Sequence, residues 1–186
     1  MADFNQAHAF TARWEGRLVD HPSDPGGITN YGVSLRWLRS LGYDLGDIDG
    51  DGDIDADDVR ALTPDDAARL FRLKFWDPYG LGDLPQIVAT VHYDCSVNTG
   101  PAQATRIAQR ACNEVLGSGL VVDGKFGPKT RQALKDGASF ELVDAMLTGR
   151  DKFYIQLANN KPSLACFLRG WRNRVKDLRR YTGVTW

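Results

Sequence analysis

Residues 14–34 read Trp14-Glu15-Gly16-Arg17-Leu18-Val19-Asp20-His21-Pro22-Ser23-Asp24-Pro25-Gly26-Gly27-Ile28-Thr29-Asn30-Tyr31-Gly32-Val33-Ser34. Before this stretch, Phe4, Ala7, Phe10 and Trp14 recur at three- and four-residue steps, which predicts a helix stopped by Gly16. Within it, Pro22, Pro25, Gly26, Gly27 and Gly32 break any helix, and Leu18-Val19 and Thr29–Val33 are left as short strands. Ser34 then caps a second helix carrying Leu35, Leu38 and Leu41. A small β element near residues 17–33 is thus expected between helices.

Outward from it the chain reads as helical. Thr63-Pro64-Asp65-Asp66 sets a capping hydroxyl, a proline and two acids at a helix start. Leu84, Ile87, Val88 and Val91 mark a helix running to about Asn98, and Ile107, Ala111, Val115 and Leu116 mark the next. Asp123–Pro128 is a turn cluster. Two long helices, one through Phe140 and Leu157 and one through Leu164 and Leu178, end the chain and are parted by Pro162. The expected class is mainly α, with a soft boundary dividing residues 1–104 from 105–186.

Composition agrees with a folded domain. The chain has 186 residues, 42% of them hydrophobic and 25% charged, so a core can be buried without covalent staples. The net charge of −1 supplies no basic excess for nucleic acid, and no apolar run reaches the ~18 residues of a membrane span. The three cysteines, Cys95, Cys112 and Cys166, are too few and too widely spaced for a disulfide framework, and are expected as buried thiols. With no secretory signal visible, synthesis in a reducing compartment is expected, with export left to a holin or another system. A monomer is expected. On the last helix Arg169, Arg172, Arg174, Lys176, Arg179 and Arg180 read as a solvated basic face or, more sharply, as a contact for an anionic wall.

Glu15 carries the chemistry of the first stretch. A carboxyl at a helix carboxyl end beside an aromatic ring meets two effects that favour its neutral form, which suits a general acid. Asp24 and Thr29 follow as a polar pair that glycosidic cleavage would use. Spacing alone favours a plainer reading, with Glu15 a solvated helix-end carboxylate and Asp24 a turn former.

The acidic run Asp47-Ile48-Asp49-Gly50-Asp51-Gly52-Asp53-Ile54-Asp55-Ala56-Asp57-Asp58 has the pattern of a twelve-residue calcium loop. Asp47, Asp49 and Asp51 fall at positions 1, 3 and 5, Gly52 at 6, Ile54 at 8 and Asp58 at 12, while Asp53 offers its carbonyl. One structural Ca²⁺ is expected. Of the remaining polar and aromatic residues, Tyr31, Tyr93 and Asn98 are candidates for binding sugar, with Trp76 and Trp171 as further aromatics. His8, His21 and His92 are too dispersed for a zinc site.

The block Glu15-Gly16 with Pro22–Ser34 resembles the signature of glycoside hydrolase family 108, phage-type and bacterial N-acetylmuramidases of the lysozyme superfamily. Phe75-Trp76-Asp77-Pro78, Asp94–Gly100 and Gly170–Arg174 also resemble that family, and Ile107–Thr130 resembles its companion peptidoglycan-binding region. Arg17 stands where a second glycine is usual, and His21 where an aspartate commonly precedes the first proline. The resemblance implies a lysozyme-like fold, bacterial peptidoglycan as substrate, and Glu15 as the acid. It also implies cleavage of the β-1,4 bond between N-acetylmuramic acid and N-acetylglucosamine, by an endolysin or wall-remodelling enzyme acting in the periplasm or outside the cell. A lytic transglycosylase, a non-catalytic wall-binding module and a calcium-dependent interaction protein are the alternatives.

Overall fold

The first helix, α1 (Phe4–Ala12), ends earlier than its apolar spacing predicts. The amides of Trp14 and Glu15 both turn back to the carbonyl of Thr11, so the chain leaves the helix in a tight turn ahead of Gly16. Apolar periodicity reports which face is buried, not where backbone hydrogen bonding stops. The computed structural model describes residues 1–19 and 27–184.

The described residues fall into two compact units, Thr11–Lys74 on one side and Met1–Phe10 with Phe75–Trp186 on the other. This cut differs from the sequence boundary at 104/105, because α6 (Gln86–Thr99) and α7 (Pro101–Leu116) pack in the same unit.

In the Thr11–Lys74 unit, β1 (Thr29–Asn30) pairs antiparallel with β2 (Val33–Ser34), and Val19 bridges to Thr29. The turn between the strands is Tyr31-Gly32, with φ of 48° and 80°. Positive φ at both central residues is the type I′ geometry that matches strand twist. Four helices follow: α2 (Leu35–Ser40), α3 (Tyr43–Gly46), α4 (Ala56–Ala61) and α5 (Pro64–Phe75). Ser34 caps α2 as expected, its Oγ accepting from the Trp37 amide at 3.3 Å. Thr63 and Asp66 cap α5 reciprocally. The buried Asn30 donates through Nδ2 to the Val59 carbonyl at 3.1 Å, which ties β1 to α4.

The other unit is helical. Beside α6 and α7 it holds α8 (Pro128–Asp136), α9 (Phe140–Asn160) and α10 (Leu168–Thr182). A 3-10 segment, Pro162–Phe167, joins the last two, since proline can start but not continue a helix. Helix α9 lies against α6, α7 and α10. The expected return of the late helices to the start of the chain is present: the Tyr181 hydroxyl donates to the Gln6 carbonyl at 2.8 Å, and its ring meets Phe10.

Two expectations need correction here. Cys95 and Cys112 are buried, but Cys166 is exposed on the 3-10 segment. The basic face of α10 is not all solvated either, for Arg174 and Arg179 are buried.

Candidate active site and acidic loop

Glu15 is half-buried three residues past the end of α1, with its side chain laid against the hairpin turn. A β-carbon added at Gly32 would stand 2.8 Å from Glu15 Oε2 and 3.0 Å from its Cβ and Cγ. Only glycine leaves room for the carboxylate there, and the φ of 80° is also glycine's own region. Tyr31, the partner residue of the turn, is half-exposed and is the only non-glycine residue with positive φ among those described.

Thr29 lies at the base of the hairpin, half-buried, its amide and carbonyl paired with Val19 and its hydroxyl 3.4 Å from the Gly27 carbonyl. Glu15, Thr29 and Tyr31 therefore belong to one small hairpin assembly. Asp24 lies outside the described residues.

The expected sugar-binding residues divide. Tyr93 is a core residue and not part of a groove: it is fully buried, its hydroxyl 2.8 Å from His8 Nδ1 and its ring edge-on to Phe4 and Trp76. Trp76 is buried with it. Burial explains His8 as well, whose pKa is pushed down by desolvation. Asn98, by contrast, is exposed at the end of α6.

The acidic run folds as a loop between α3 and α4. Asp47 accepts the amides of Gly50 (2.7 Å) and Gly52 (3.1 Å), so the first ligand position curls the loop around its own carboxylate. Gly52, at φ 95°, makes the sharp turn. Asp58 is fully buried and accepts the amides of Ile48 and Asp55, both at 2.6 Å, closing the loop's two ends on one side chain. Carboxylate oxygens of Asp47, Asp49 and Asp58 lie within 4.8 Å of one another, as do those of Asp53, Asp55 and Asp58. Like charges crowd the exposed arc: Asp51 above all raises the pKa of Asp53. An oxygen-only donor set of this density fits a hard divalent cation.

Sequence reading missed a buried ion cluster in the helical unit. Asp94 on α6 is fully buried between Arg150 of α9 and Arg174 of α10, at 2.6 Å from each. Burial alone would raise the Asp94 carboxyl, but the two guanidiniums outweigh it and hold the pKa at about 2. Arg150 also donates through Nε to the Tyr154 hydroxyl at 2.8 Å, and Tyr154 donates on to Asn98 Oδ1. A signal was available: Asp94 and Arg150 interrupt the apolar faces of their helices, and a charge at a core position is rarely unpaired.

A sequence profile of glycosyl hydrolase 108 matches residues 8–100, which takes in the hairpin assembly, the acidic loop and α6 as far as its end. The chain belongs to that family. A second profile, described as a predicted peptidoglycan domain, matches residues 103–176. The two matches part between 100 and 103, close to the sequence boundary and unlike the compact units. Among solved structures, Brucella abortus SagA is similar over 96% of this chain and 92% of its own, at 28% identity and a TM-score of 0.72. No curated protein matches. The family and its companion domain make the chain a glycoside hydrolase of peptidoglycan.

Proposed function

We propose that the enzyme is an N-acetylmuramidase, cleaving the β-1,4 bond between N-acetylmuramic acid and N-acetylglucosamine with Glu15 as general acid. The observation that carries the reading is the seat of Glu15 on the Tyr31-Gly32 turn, where a glycine has yielded its side-chain volume to the carboxylate. A half-buried carboxyl held by packing can give its proton to the leaving glycosidic oxygen as the C–O bond breaks. Water then adds to the cationic sugar and returns a proton to the site. Asp24, with Thr29, would position that water or stabilise the positive charge, a role resting on their spacing after Glu15. Tyr31, beside the acid on the turn, offers a ring to the sugar; Asn98, in the helical unit, is taken separately as an amide that binds peptidoglycan. The enzyme would serve as an endolysin or in wall remodelling.

The loop 47–58 would hold one Ca²⁺ through Asp47, Asp49, Asp51, Asp58 and the Asp53 carbonyl. Its role would be structural: a bound divalent ion offsets the repulsion among the carboxylates and ties α3 to α4.

The test is lysis of purified sacculi by wild type and Glu15→Gln, with mass spectrometry of the products. The amide keeps the shape but holds no acidic proton, so lysis should fall by about 10²–10⁴-fold with folding intact. A mutant keeping more than a tenth of wild-type lysis overturns the assignment. Anhydro-sugar ends would make the enzyme a lytic transglycosylase.

A further inference from the structure

The hydrogen-bond polarity of the helical unit is fixed from its centre outward. Arg150 is 1% exposed, and a guanidinium can only donate. Its Nη1 goes to Asp94 Oδ2, and its Nε goes to the Tyr154 hydroxyl. Tyr154 therefore accepts from Arg150 and has a single hydrogen left. Burial pushes its pKa up to about 12, so that hydrogen is retained throughout the neutral range. It is given to Asn98, which must meet it with Oδ1.

The amide of Asn98 consequently cannot turn over. A flip would set its Nδ2 hydrogens against the hydroxyl hydrogen of Tyr154. With Oδ1 held toward Tyr154 by one of its two lone pairs, Nδ2 is left as an exposed two-hydrogen donor without a partner among the described residues. Aromatic rings lead to the same point. Trp171, half-buried, stacks on Tyr154 with centroids 5.0 Å apart and planes at 22°. Phe167, more than half exposed, lies 5.9 Å beyond Trp171 at 31°. The phenol that orients the Asn98 amide thus also carries a ring stack that ends in the exposed Phe167, and sugar sites combine aromatic surface with a few placed polar groups.

We propose that Asn98 donates through Nδ2 to the acetamido carbonyl oxygen of an N-acetylated wall sugar, and that Tyr154 is the positioning residue that sets the amide's direction. The acetamido carbonyl is chosen over a sugar hydroxyl because it is the stronger acceptor and, with no hydrogen of its own, can meet Nδ2 in only one sense. The inference rests on the peptidoglycan reading above.

Binding is measured with full-length Glu15→Gln, which stops turnover, against N-acetylglucosamine oligomers and their de-N-acetylated counterparts, in salt high enough to screen charge. These oligomers carry no stem peptide, so a peptide carbonyl cannot stand in for the acetamide. The parent should prefer the N-acetylated oligomer. Adding Asn98→Asp preserves an acceptor for Tyr154 but removes the donor. Binding should fall roughly five- to tenfold, to the level of the de-N-acetylated sugar, with melting unchanged. Tyr154→Phe, which frees the amide to rotate, should weaken the same preference by roughly threefold. Full affinity and preference in Asn98→Asp would overturn the proposal. So would a parent that pellets with sacculi but does not tell the two oligomers apart, and the hydrolase reading would survive that result. Wild-type protein that neither lyses nor pellets with sacculi would overturn both.

Discussion

Asp58 and Asp94 are both fully buried carboxylates, and the chain satisfies them in different ways. Asp58 accepts the backbone amides of Ile48, Asp49 and Asp55, all within ten residues, and stands among other aspartates. Asp94 is neutralised by side chains 56 and 80 residues away, brought in on two other helices. The first arrangement closes a loop locally and leaves negative charge over, which invites a cation from outside. The second needs the whole helical unit assembled, sets two guanidiniums against one carboxylate, and leaves Arg150 Nη2 buried without a hydrogen-bond partner among the described residues. Local sequence pattern reveals the first and conceals the second.

The sharpest way to break this contrast is at Asp94. Asp94→Asn keeps the shape but strands two buried guanidiniums. Breaking a buried ion pair from one side costs about 3–5 kcal/mol, so melting should collapse or the protein should fail to accumulate. Near-wild-type melting would mean that water reaches the arginines and that the cluster is not the helical unit's anchor.

A pH scan next separates two buried groups of the helical unit. Burial lowers the pKa of His92 from 6.5 to about 4. Unfolded chains take up that proton below about 6.5, whereas the folded protein refuses it until about 4. The unfolded state then binds more protons, and stability falls as pH drops across that window, by on the order of 3 kcal/mol in all. Asp94, held at about 2, keeps its charge through the same window and cannot account for the loss. His92→Gln should make the melting temperature fall less steeply between pH 6.5 and 4.5, the remainder belonging to His8, whose pKa burial also lowers. An unchanged slope would assign the acid sensitivity elsewhere.

For the acidic loop the corresponding experiment is chelation. If calcium binds only the folded loop, a hundredfold excess over Kd stabilises by ~2.7 kcal/mol. EGTA should lower the melting temperature and speed hydrogen exchange across residues 45–60, and Asp51→Ala should mimic it. Lysis should fall with folding and not ahead of it. Calorimetry that detects no calcium binding to metal-free protein would end the structural role. Loss of turnover while the fold is intact would move the ion into the active site.

The same division explains what could be read in advance. The caps at Ser34 and Thr63 are set by residues within a turn of one another and were legible, as was a β element near residues 17–33; its form was not, for Thr29–Val33, read as one strand, folds back on itself at Tyr31-Gly32. Tyr93 was misread because an aromatic on a helix looks alike whether it faces sugar or Phe4 and Trp76. Arg174 was misread because its neighbours Arg172 and Lys176 are exposed, while its own depth is decided by Asp94. Cys166 follows Pro162 into a 3-10 segment, where the helical spacing that predicted burial no longer applies.

The smallest expected change in stability comes at the hairpin, where a local substitution should act on function more than on folding. Gly32→Ala places a methyl 2.8 Å from Glu15 Oε2 at a φ of 80°. The backbone strain amounts to ~1 kcal/mol, tolerable for a folded protein. The carboxylate, however, must move to admit the methyl, and displacement of a catalytic group by an ångström can cost on the order of 10²-fold in rate. Lysis should therefore drop roughly ten- to a hundredfold while melting shifts only slightly. Tyr31→Asn supplies the control: asparagine adopts positive φ more easily than tyrosine, so the turn persists and Glu15 keeps its seat. Its loss should fall on substrate affinity if the ring binds sugar, with kcat preserved. If Gly32→Ala lyses sacculi as fast as wild type, the close approach of Glu15 to the turn is packing alone, and the proton donor must be sought elsewhere.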